Sequence, residues 1–211
     1  MKQGYGLLIP EALADLCDPA RTAIIIYDMQ RGIVPQVSTG PQLVDGCRAL
    51  LTRARPAGFR IFYTRHISLP NRAAGVAQLR RAMIWQRVDE AVGTQPAFLP
   101  DSASAQIVAE LCPQQGDVII DKITMSAFEG TYLNIALRDL GISAIAIAGI
   151  ALEVGIEPTI RHALDLNYVP ILFLDLCGSR SDDLRERSIS TLQQTSEVLM
   201  PSSADWLSLF P

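Results

Sequence analysis

Two charged residues and one turn bounded by glycines follow segments that have the pattern of strands in a parallel sheet. Asp28 follows the apolar run Ala23–Tyr27, and Lys122 ends the run Val118–Lys122. The turn Gly149–Gly155 follows a run of small apolar residues and leads into a helical segment. In open parallel sheets, ligands gather beyond the carboxyl ends of the strands. A carboxylate and an ammonium that meet at this edge would form an acid–base pair.

Each of these three features also has an ordinary structural interpretation. An aspartate after a strand often caps the next turn or helix, and a lysine at a strand end often extends into solvent. The turn Gly149–Gly155 could be a simple connection between a strand and a helix. Their joint position at the ends of strands favours a shared cleft over three unrelated structural roles.

The elements that must hold these residues alternate between strand-like and helix-like segments. Short apolar runs predict strands over Ala23–Tyr27, Arg60–Tyr63, Val118–Lys122, Ser143–Gly149, Val169–Leu174 and Glu197–Met200. Helical spacing of apolar residues predicts helices over Gln42–Arg55, Val76–Met83, Thr131–Leu140, Glu153–Leu166 and Asp182–Gln194. This alternation is typical of an α/β fold with a parallel sheet and helical crossovers. We expect a single domain over residues 1–211, with a C-terminal turn packed onto it through Trp206, Leu209 and Phe210.

The composition suits a sheet that is buried on both faces. Hydrophobic residues make up 49% of the 211 residues and charged residues 19%, and the mean hydropathy is +0.22. No apolar stretch reaches the roughly 18 residues that span a bilayer, and Met1–Pro10 lacks the pattern of a signal peptide. The net charge of −4, without a Lys/Arg tract, argues against nucleic-acid binding. The adjacent Arg80 and Arg81 are expected on a solvated helix face.

The cysteines and histidines do not form a metal-binding pattern. Cys17, Cys47, Cys112 and Cys177 are far apart, and His66 is one of only two histidines. Scattered thiols in an apolar chain indicate core cysteines in a reducing compartment. We therefore expect a cytoplasmic protein that acts on a small-molecule substrate, with no cofactor, metal, nucleic-acid or membrane partner.

Four segments of the chain resemble the isochorismatase-like (cysteine hydrolase) superfamily. They are AIIIYDMQRGIV at Ala23–Val34, DKITMSAFEGTYLNIALRDLGI at Asp121–Ile142, AGIALEVGIEPTIRHALDLNY at Ala148–Tyr168, and DLCGS at Asp175–Ser179. These segments extend from about residue 20 to residue 200 in the order of the family. The resemblance implies a three-layer sandwich with a mostly parallel sheet of about six strands, flanked by helices.

The resemblance also assigns positions to the family's catalytic triad of aspartate, lysine and cysteine. The aspartate of the D-x-Q motif corresponds to Asp28, and the lysine that precedes the S-A-F motif corresponds to Lys122. The cysteine of a G-x-x-T-x-x-C pattern corresponds to Gly155, and its threonine corresponds to Leu152. Gly155 has no side chain that could attack a carbonyl. Cys177 follows the next strand and is not expected to replace the nucleophile.

Isochorismatases of the family also tend to carry glycine at the cysteine position, and they cleave a vinyl ether. The implied chemistry is protonation of the enol-ether carbon by an acidic Asp28, followed by addition of water to the oxocarbenium ion. Asp28 would have to carry a proton during turnover. Burial favours the neutral acid, whereas the Lys122 ammonium favours the carboxylate, and the sequence leaves the balance open.

The turn before Gly155 is expected to supply backbone groups to the substrate. The resemblance predicts a cis peptide bond between Ala151 and Leu152. It also implies that the backbone of Ala151, Leu152 and Gly155 contributes an oxyanion or carboxylate site, with N–H groups from Leu152 and Gly155.

Three further residues are weaker candidates for substrate contacts. Gln30 belongs to the D-x-Q motif, and His66 and Trp85 lie where isochorismatases place polar and aromatic contacts. The irregular segment 65–100 is the best candidate for an insertion that covers the substrate.

Three functions therefore remain open. The first is hydrolysis of a small vinyl ether such as isochorismate, with Asp28 as general acid and Lys122 as its partner. The second is a cysteine-independent hydrolase or lyase that acts on an amide, ester or lactone through water activated by Asp28. The third is a degenerate, non-catalytic binding or scaffolding protein. In each case the resemblance implies a homo-oligomer, either a dimer or a tetramer.

Overall fold

The computed structural model describes residues 1–209 and contains, within them, a parallel sheet of five strands and a short hairpin. The hairpin pairs β1 (Lys2–Gly4) with β2 (Leu7–Ile9). The sheet consists of β3 (Thr22–Tyr27), β4 (Arg60–His66), β5 (Val118–Lys122), β6 (Ala144–Ile150) and β7 (Val169–Gly178). Its order is β5-β4-β3-β6-β7, and every neighbouring pair is parallel.

The helices lie on both faces of this sheet. Their bounds are α1 (Gly40–Ala54), α2 (Val76–Gln86), α3 (Leu133–Asp139), α4 (Glu157–Asp165), α5 (Asp182–Thr195) and α6 (Ser203–Leu207). In β3, the side chains of Ile24 and Ile26 pack with α1 and α6, whereas Ile25 and Tyr27 pack with α3, α4 and α5. Successive strand residues point to opposite faces, so the apolar run of β3 supplies both cores. The predicted α/β three-layer sandwich is confirmed.

The sixth strand predicted at Glu197–Met200 is reduced to an isolated parallel bridge between Leu199 and Ile171. The Leu172 N–H donates to Leu199 O at 2.8 Å, and the Leu199 N–H donates to Pro170 O at 3.1 Å. Pro201 follows within two residues and has no N–H to continue the ladder. The structure therefore corrects the expected six strands to five within residues 1–209.

Two terminal segments also differ from expectation. The hairpin of β1 and β2 was not predicted, because its strands are only three residues long; its turn at Tyr5 and Gly6 has positive φ angles of 51° and 76°. At the other end, Trp206 is fully buried as predicted, whereas Leu209 is 42% exposed, so its predicted packing is wrong. Phe210 lies outside the described residues.

The helix predicted over Glu153–Leu166 is divided into two parts. A π-helical turn covers Leu152–Ile156, and α4 begins at Glu157. Pro158 lies in the first turn of α4, where its missing N–H breaks no helical hydrogen bond. Single π-helical turns occur frequently at functional sites.

The order of the strands creates a crevice between β3 and β6. The chain moves from β3 to β4 and β5 on one side, and from β6 to β7 on the other side. Tyr27 is paired with Gly149 at the carboxyl ends of the two central strands. This is the switch point at which ligands bind in open parallel sheets. Within residues 1–209, no helix has the length and apolar character needed to cross a membrane.

Candidate active site

Asp28 lies directly after β3, and its carboxylate contacts the neighbouring strand at the carboxyl edge of the sheet. Its φ angle is 49°, a left-handed conformation that aspartate tolerates better than most residues. The Asp28 N–H donates to Thr64 Oγ1 at 3.1 Å, and the Thr64 hydroxyl donates to Asp28 Oδ1 at 2.5 Å. Thr64 belongs to β4 and is fully buried. The neighbouring strand therefore fixes both the backbone and one carboxylate oxygen of Asp28.

Lys122 ends β5 and reaches the other oxygen of the same carboxylate. Its Nζ donates to Asp28 Oδ2 at 2.7 Å and to Thr124 O at 3.3 Å. The side chains of Lys122 and Asp28 are only 1% and 7% exposed. Burial lowers the pKa of Lys122, and the charge and hydrogen bond of Asp28 offset part of this effect. The structure thus brings together the two charged residues that the sequence placed at strand ends.

Tyr27 lies between the ammonium group and the turn that follows β6. Its ring centroid is 4.3 Å from Lys122 Nζ, within the range of a cation–π contact. Its hydroxyl donates to the carbonyl oxygen of Met125. Burial raises the pKa of Tyr27 well above its usual value, and the nearby Asp28 adds to this effect. Tyr27 was not predicted as a site residue, because in the sequence it is the last apolar residue of a strand.

The turn after β6 differs in detail from the prediction. The cis peptide bond joins Ile150 and Ala151, so the predicted position at Ala151–Leu152 is wrong by one residue. Leu152 already begins the π-helical turn, whose regular backbone uses trans peptides, and its side chain is fully buried in the core. The Gly155 N–H donates to Ala151 O at 3.1 Å, which argues against its predicted oxyanion role.

Glu153 ties this turn to the end of β7. Its carboxylate accepts hydrogen bonds from Ser179 Oγ at 2.6 Å, the Arg180 N–H at 3.2 Å and Arg180 Nε at 3.1 Å. Burial alone would raise the pKa of Glu153, but the hydrogen bonds from Ser179 and Arg180 outweigh it and lower the pKa. The ion pair holds Arg180 at the edge of the adjacent cavity.

A cavity of about 550 Å³ opens above the Asp28–Lys122 contact. Asp28, Tyr27 and Gly155 line it, together with many residues of the segment 65–100, which includes α2. This volume falls in the range of about 300–1,000 Å³ that is typical of small-molecule sites. The segment 65–100 therefore lines a cavity, and its predicted role in covering a substrate stays a prediction.

Two of the three weaker substrate candidates line this cavity. His66 and Trp85 contribute rings whose centroids are 6.3 Å apart. Burial lowers the pKa of His66 to about 4, and the positive charge of Lys122 adds to this effect. The imidazole is therefore neutral at pH 7 and cannot serve there as a charged acid.

Gln30 has a different environment from the one expected. Its Nε2 donates to His66 O at 2.9 Å and to Ala105 O at 3.0 Å, and its Oε1 accepts the His66 N–H at 2.7 Å. The side chain is fully buried and does not line the cavity. Its amide joins two segments of backbone, so we assign it no substrate contact.

Arg81 and Gln78 also line the cavity, although the sequence did not predict either of them as a site residue. Arg81 was expected in solvent with Arg80, but it lines the cavity, with its guanidinium carbon 6.0 Å from the Trp85 ring centroid. No carboxylate of residues 1–209 forms an ion pair with Arg81 at 4.0 Å or less. Gln78 Oε1 is buried and accepts no hydrogen bond from the described residues. The spacing of Gln78, Arg81 and Trp85 on one helical face was the available signal.

Cys177 does not replace the missing nucleophile, and no metal cluster is found in the described part of the chain. Cys177 is 3% exposed, its Sγ lies 3.8 Å from Ile147 O, and burial raises its pKa. A buried neutral thiol of this kind is unreactive. Across residues 1–209, no group of three or more His, Cys, Asp or Glu side chains is arranged to hold a metal ion.

The fold is that of a three-layer α/β protein with a buried charged pair at the switch point of its sheet. The family model of the Isochorismatase domain matches residues 22–203, and the chain belongs to the isochorismatase family. It is 32% identical over 173 residues to the uncharacterized isochorismatase family protein YwoC of Bacillus subtilis (strain 168), covering 82% of this chain and 85% of that protein.

Solved structures show the same architecture. A cysteine hydrolase from Pseudomonas syringae pv. phaseolicola 1448A has a TM-score of 0.76 and 24% identity, covering 90% of this chain and 92% of that chain. An isochorismatase family protein from Burkholderia thailandensis has a TM-score of 0.74 and 25% identity, with coverage of 90% and 95%. The expected resemblance is confirmed, and the protein is a hydrolase of this family.

Proposed function

We propose that the protein hydrolyses a small anionic vinyl ether without a covalent intermediate, with Asp28 as general acid and Lys122 as its proton partner. Isochorismate is the natural candidate substrate. The observation that carries this proposal is the buried 2.7 Å contact between Lys122 Nζ and Oδ2 of Asp28, a residue that lines the cavity. Gly155, the residue that the resemblance aligns with the cysteine nucleophile, offers no group for covalent catalysis.

The hydrogen bonds indicate which oxygen carries the transferred proton. Thr64 accepts the Asp28 N–H and directs its own proton to Oδ1, so Oδ1 is an acceptor. A proton available for catalysis must therefore lie on Oδ2, the oxygen that faces Lys122. Because burial lowers the pKa of Lys122, transfer of one proton from its ammonium to Oδ2 costs less than it would in water.

This proton then accounts for each step of the reaction. Asp28 donates it to the terminal enol carbon, where a C–H bond forms and the ether oxygen stabilises the resulting oxocarbenium ion. Water adds to that ion and returns a proton to the Asp28–Lys122 pair. The hemiketal then breaks its C–O bond while its hydroxyl proton passes to the leaving oxygen, which releases pyruvate and an alcohol. The sum is addition of one water, with no oxidant or cofactor.

The cavity also favours an anionic substrate. Arg81 brings a guanidinium to the wall without a carboxylate partner among the described residues, and Gln78 brings an unsatisfied carbonyl oxygen. A substrate carboxylate would bind Arg81, and a substrate hydroxyl would donate to Gln78. Such a charged hydrogen bond contributes about 1.5–3 kcal/mol.

A second candidate is hydrolysis of an amide, ester or lactone by water that Asp28 activates as a base. It is favoured by the fact that both oxygens of Asp28 accept hydrogen bonds, as expected of a carboxylate. The Gly155 N–H, one of the two expected oxyanion donors, is already bonded to Ala151 O, which argues against this candidate because such a reaction develops charge on a carbonyl oxygen.

The test is release of pyruvate from isochorismate, followed with lactate dehydrogenase. We expect turnover by the wild type and a loss of about 10²–10⁴-fold in Asp28→Asn, which cannot donate an acidic proton. Asp45→Asn is the matched control, since Asp45 is an exposed residue paired with Arg48. Pure, folded protein without pyruvate release would exclude the vinyl ether. Amides and lactones are then screened as substrates. If Asp28→Ala has no effect on any activity that is detected, both the vinyl-ether reaction and the Asp28-activated hydrolysis are excluded.

Self-association remains a separate proposal. The hairpin exposes Tyr5, Leu7, Leu8 and Ile9, and contiguous exposed apolar side chains are typical of interaction surfaces. We propose a homo-oligomer that buries this hairpin. Light scattering after size exclusion should give a dimer or tetramer, and Leu7→Ser with Leu8→Ser should shift the mass to that of a monomer. A monomeric wild type would exclude it.

A further inference from the structure

Tyr27 fills the space that any side chain at position 155 would need. A Cβ atom built on Gly155 would lie 2.5 Å from Tyr27 Cζ and 2.7 Å from Cε1, with the hydroxyl oxygen nearer still. Real Cβ atoms essentially never approach another heavy atom within 3.0 Å. The glycine at position 155 is therefore matched to the tyrosine at position 27.

The ring is held in place and cannot easily make room. Tyr27 is 1% exposed and packs in the core cluster that includes Leu152 and Ile156. Its hydroxyl donates to the Met125 carbonyl oxygen. A close-packed interior resists a shift of even part of an aromatic ring. The space behind Gly155 is thus closed by a rigid group.

The space that the ring occupies adjoins the charged pair. Lys122 Nζ lies 4.3 Å from the ring centroid, and Tyr27 and Gly155 both line the cavity. A thiol placed there would lie beside an ammonium group and within reach of a ligand. Those two conditions favour a reactive thiolate.

We propose that Tyr27 is a specificity-determining residue: it closes the nucleophile position beside Gly155 and so confines the site to chemistry without a covalent intermediate. This inference rests on the proposed function for its catalytic meaning, whereas its steric basis is independent of any substrate. It predicts that restoring a reactive cysteine requires two changes, one at position 155 and one at position 27.

The experiment compares three variants in a Cys112→Ser background, which removes the exposed thiol. The first carries Gly155→Cys alone, the second combines Gly155→Cys with Tyr27→Phe, and the third combines Gly155→Cys with Tyr27→Leu. Phenylalanine removes only the hydroxyl and keeps the Cζ and Cε1 atoms, so it should leave the position closed. Leucine removes all three atoms nearest to Gly155 and retains an apolar side chain.

Alkylation by iodoacetamide, which forms an S–C bond with loss of iodide, is followed at the thiol introduced at position 155 by peptide mass spectrometry. The rate in the Tyr27→Leu variant should exceed the rates in the other two by at least about tenfold, because only there can the thiol occupy the vacated space. In the Tyr27→Leu variant, the pH at which the alkylation rate is half-maximal should lie below the usual thiol value of about 8.5. This midpoint should rise when Lys122→Met is added. The buried Cys47 and Cys177 report folding, since they should stay unlabelled.

A stability measurement keeps the inference testable where a cysteine variant does not fold. Gly155→Ala should lower Tm by about 5 °C in the wild type, a typical overpacking effect for a chain of this size. The same change should have little effect in the Tyr27→Leu background. Equal labelling of the introduced thiol in all three folded variants, or an equal Tm loss in both backgrounds, would overturn the inference. Neither readout uses a substrate, so failure to release pyruvate would refute the proposed function and leave this result intact.

Discussion

Removing one member of the buried Asp28–Lys122 pair should destabilise the protein far more than removing both. At 2.7 Å the two charged atoms attract each other by about 6 kcal/mol with an effective dielectric constant near 20. The combined cost of taking the two ions out of water is of similar size, so the pair as a whole contributes little. A single variant keeps the desolvation cost of the remaining ion and loses the attraction that offset it.

The variants are Lys122→Met, Asp28→Asn and the double variant. Each single change should lower the free energy of unfolding by about 3–5 kcal/mol, because it leaves a buried charge unpaired. The double variant should lose much less than the sum, since it buries no charge at position 28 or 122. Thr64 retains a hydrogen-bond acceptor at residue 28 in both asparagine variants.

Urea unfolding of the four proteins, at constant pH and salt, gives the coupling energy as a double-mutant cycle. We expect a favourable coupling of several kcal/mol, and Tm shifts of about 2–4 °C for each kcal/mol in a chain of this size. Strictly additive losses would show that the two charges do not depend on each other for their burial. That result would refute the proton exchange on which the proposed acid relies.

Two further predictions concern residues that line the cavity. Arg81→Met should raise KM for an anionic substrate by about 10–100-fold with little change in kcat, whereas the matched Arg80→Met should leave both unchanged; an equal effect of the two would exclude Arg81 as the anion contact. Because the pKa of His66 is lowered to about 4 in the folded protein, the unfolded chain binds more protons between about pH 6.5 and pH 4. The free energy of unfolding should therefore fall by about 2–3 kcal/mol as the pH falls through this window, and a chemical-denaturation series should show a weaker dependence in His66→Gln.

The sequence predicted the fold well where apolar patterns were continuous. The runs Ala23–Tyr27 and Ser143–Gly149, which became most of β3 and β6, consist almost entirely of apolar residues, so burial on both faces was clear. The prediction of a strand at Glu197–Met200 was wrong, because a short apolar run does not show how many residues pair with the neighbouring strand. Here the pairing consists of one bridge before Pro201. The β1–β2 hairpin was missed because strands of three residues carry too little periodicity.

The sequence predicted the charged site only in part. Asp28 and Lys122 could be placed because parallel strands bring their carboxyl ends to one edge. Thr64 could not, because a threonine inside a strand is common, and only its 2.5 Å hydrogen bond to Asp28 distinguishes it. Arg81 was assigned to solvent because a helical pattern does not say which face meets a cavity and which meets water.

By itself, the amino-acid sequence determined that a carboxylate and an ammonium would stand at the ends of parallel strands, and that position 155 would carry no side chain. These facts follow from local patterns and residue identity. Only the tertiary structure decided the surroundings of the site residues. Tyr27 fills the space beside Gly155, the Gln30 amide is hydrogen-bonded to backbone groups, and Arg81 lines the cavity. The physical reason is that burial and contact depend on how distant segments pack, and a linear pattern does not contain that packing.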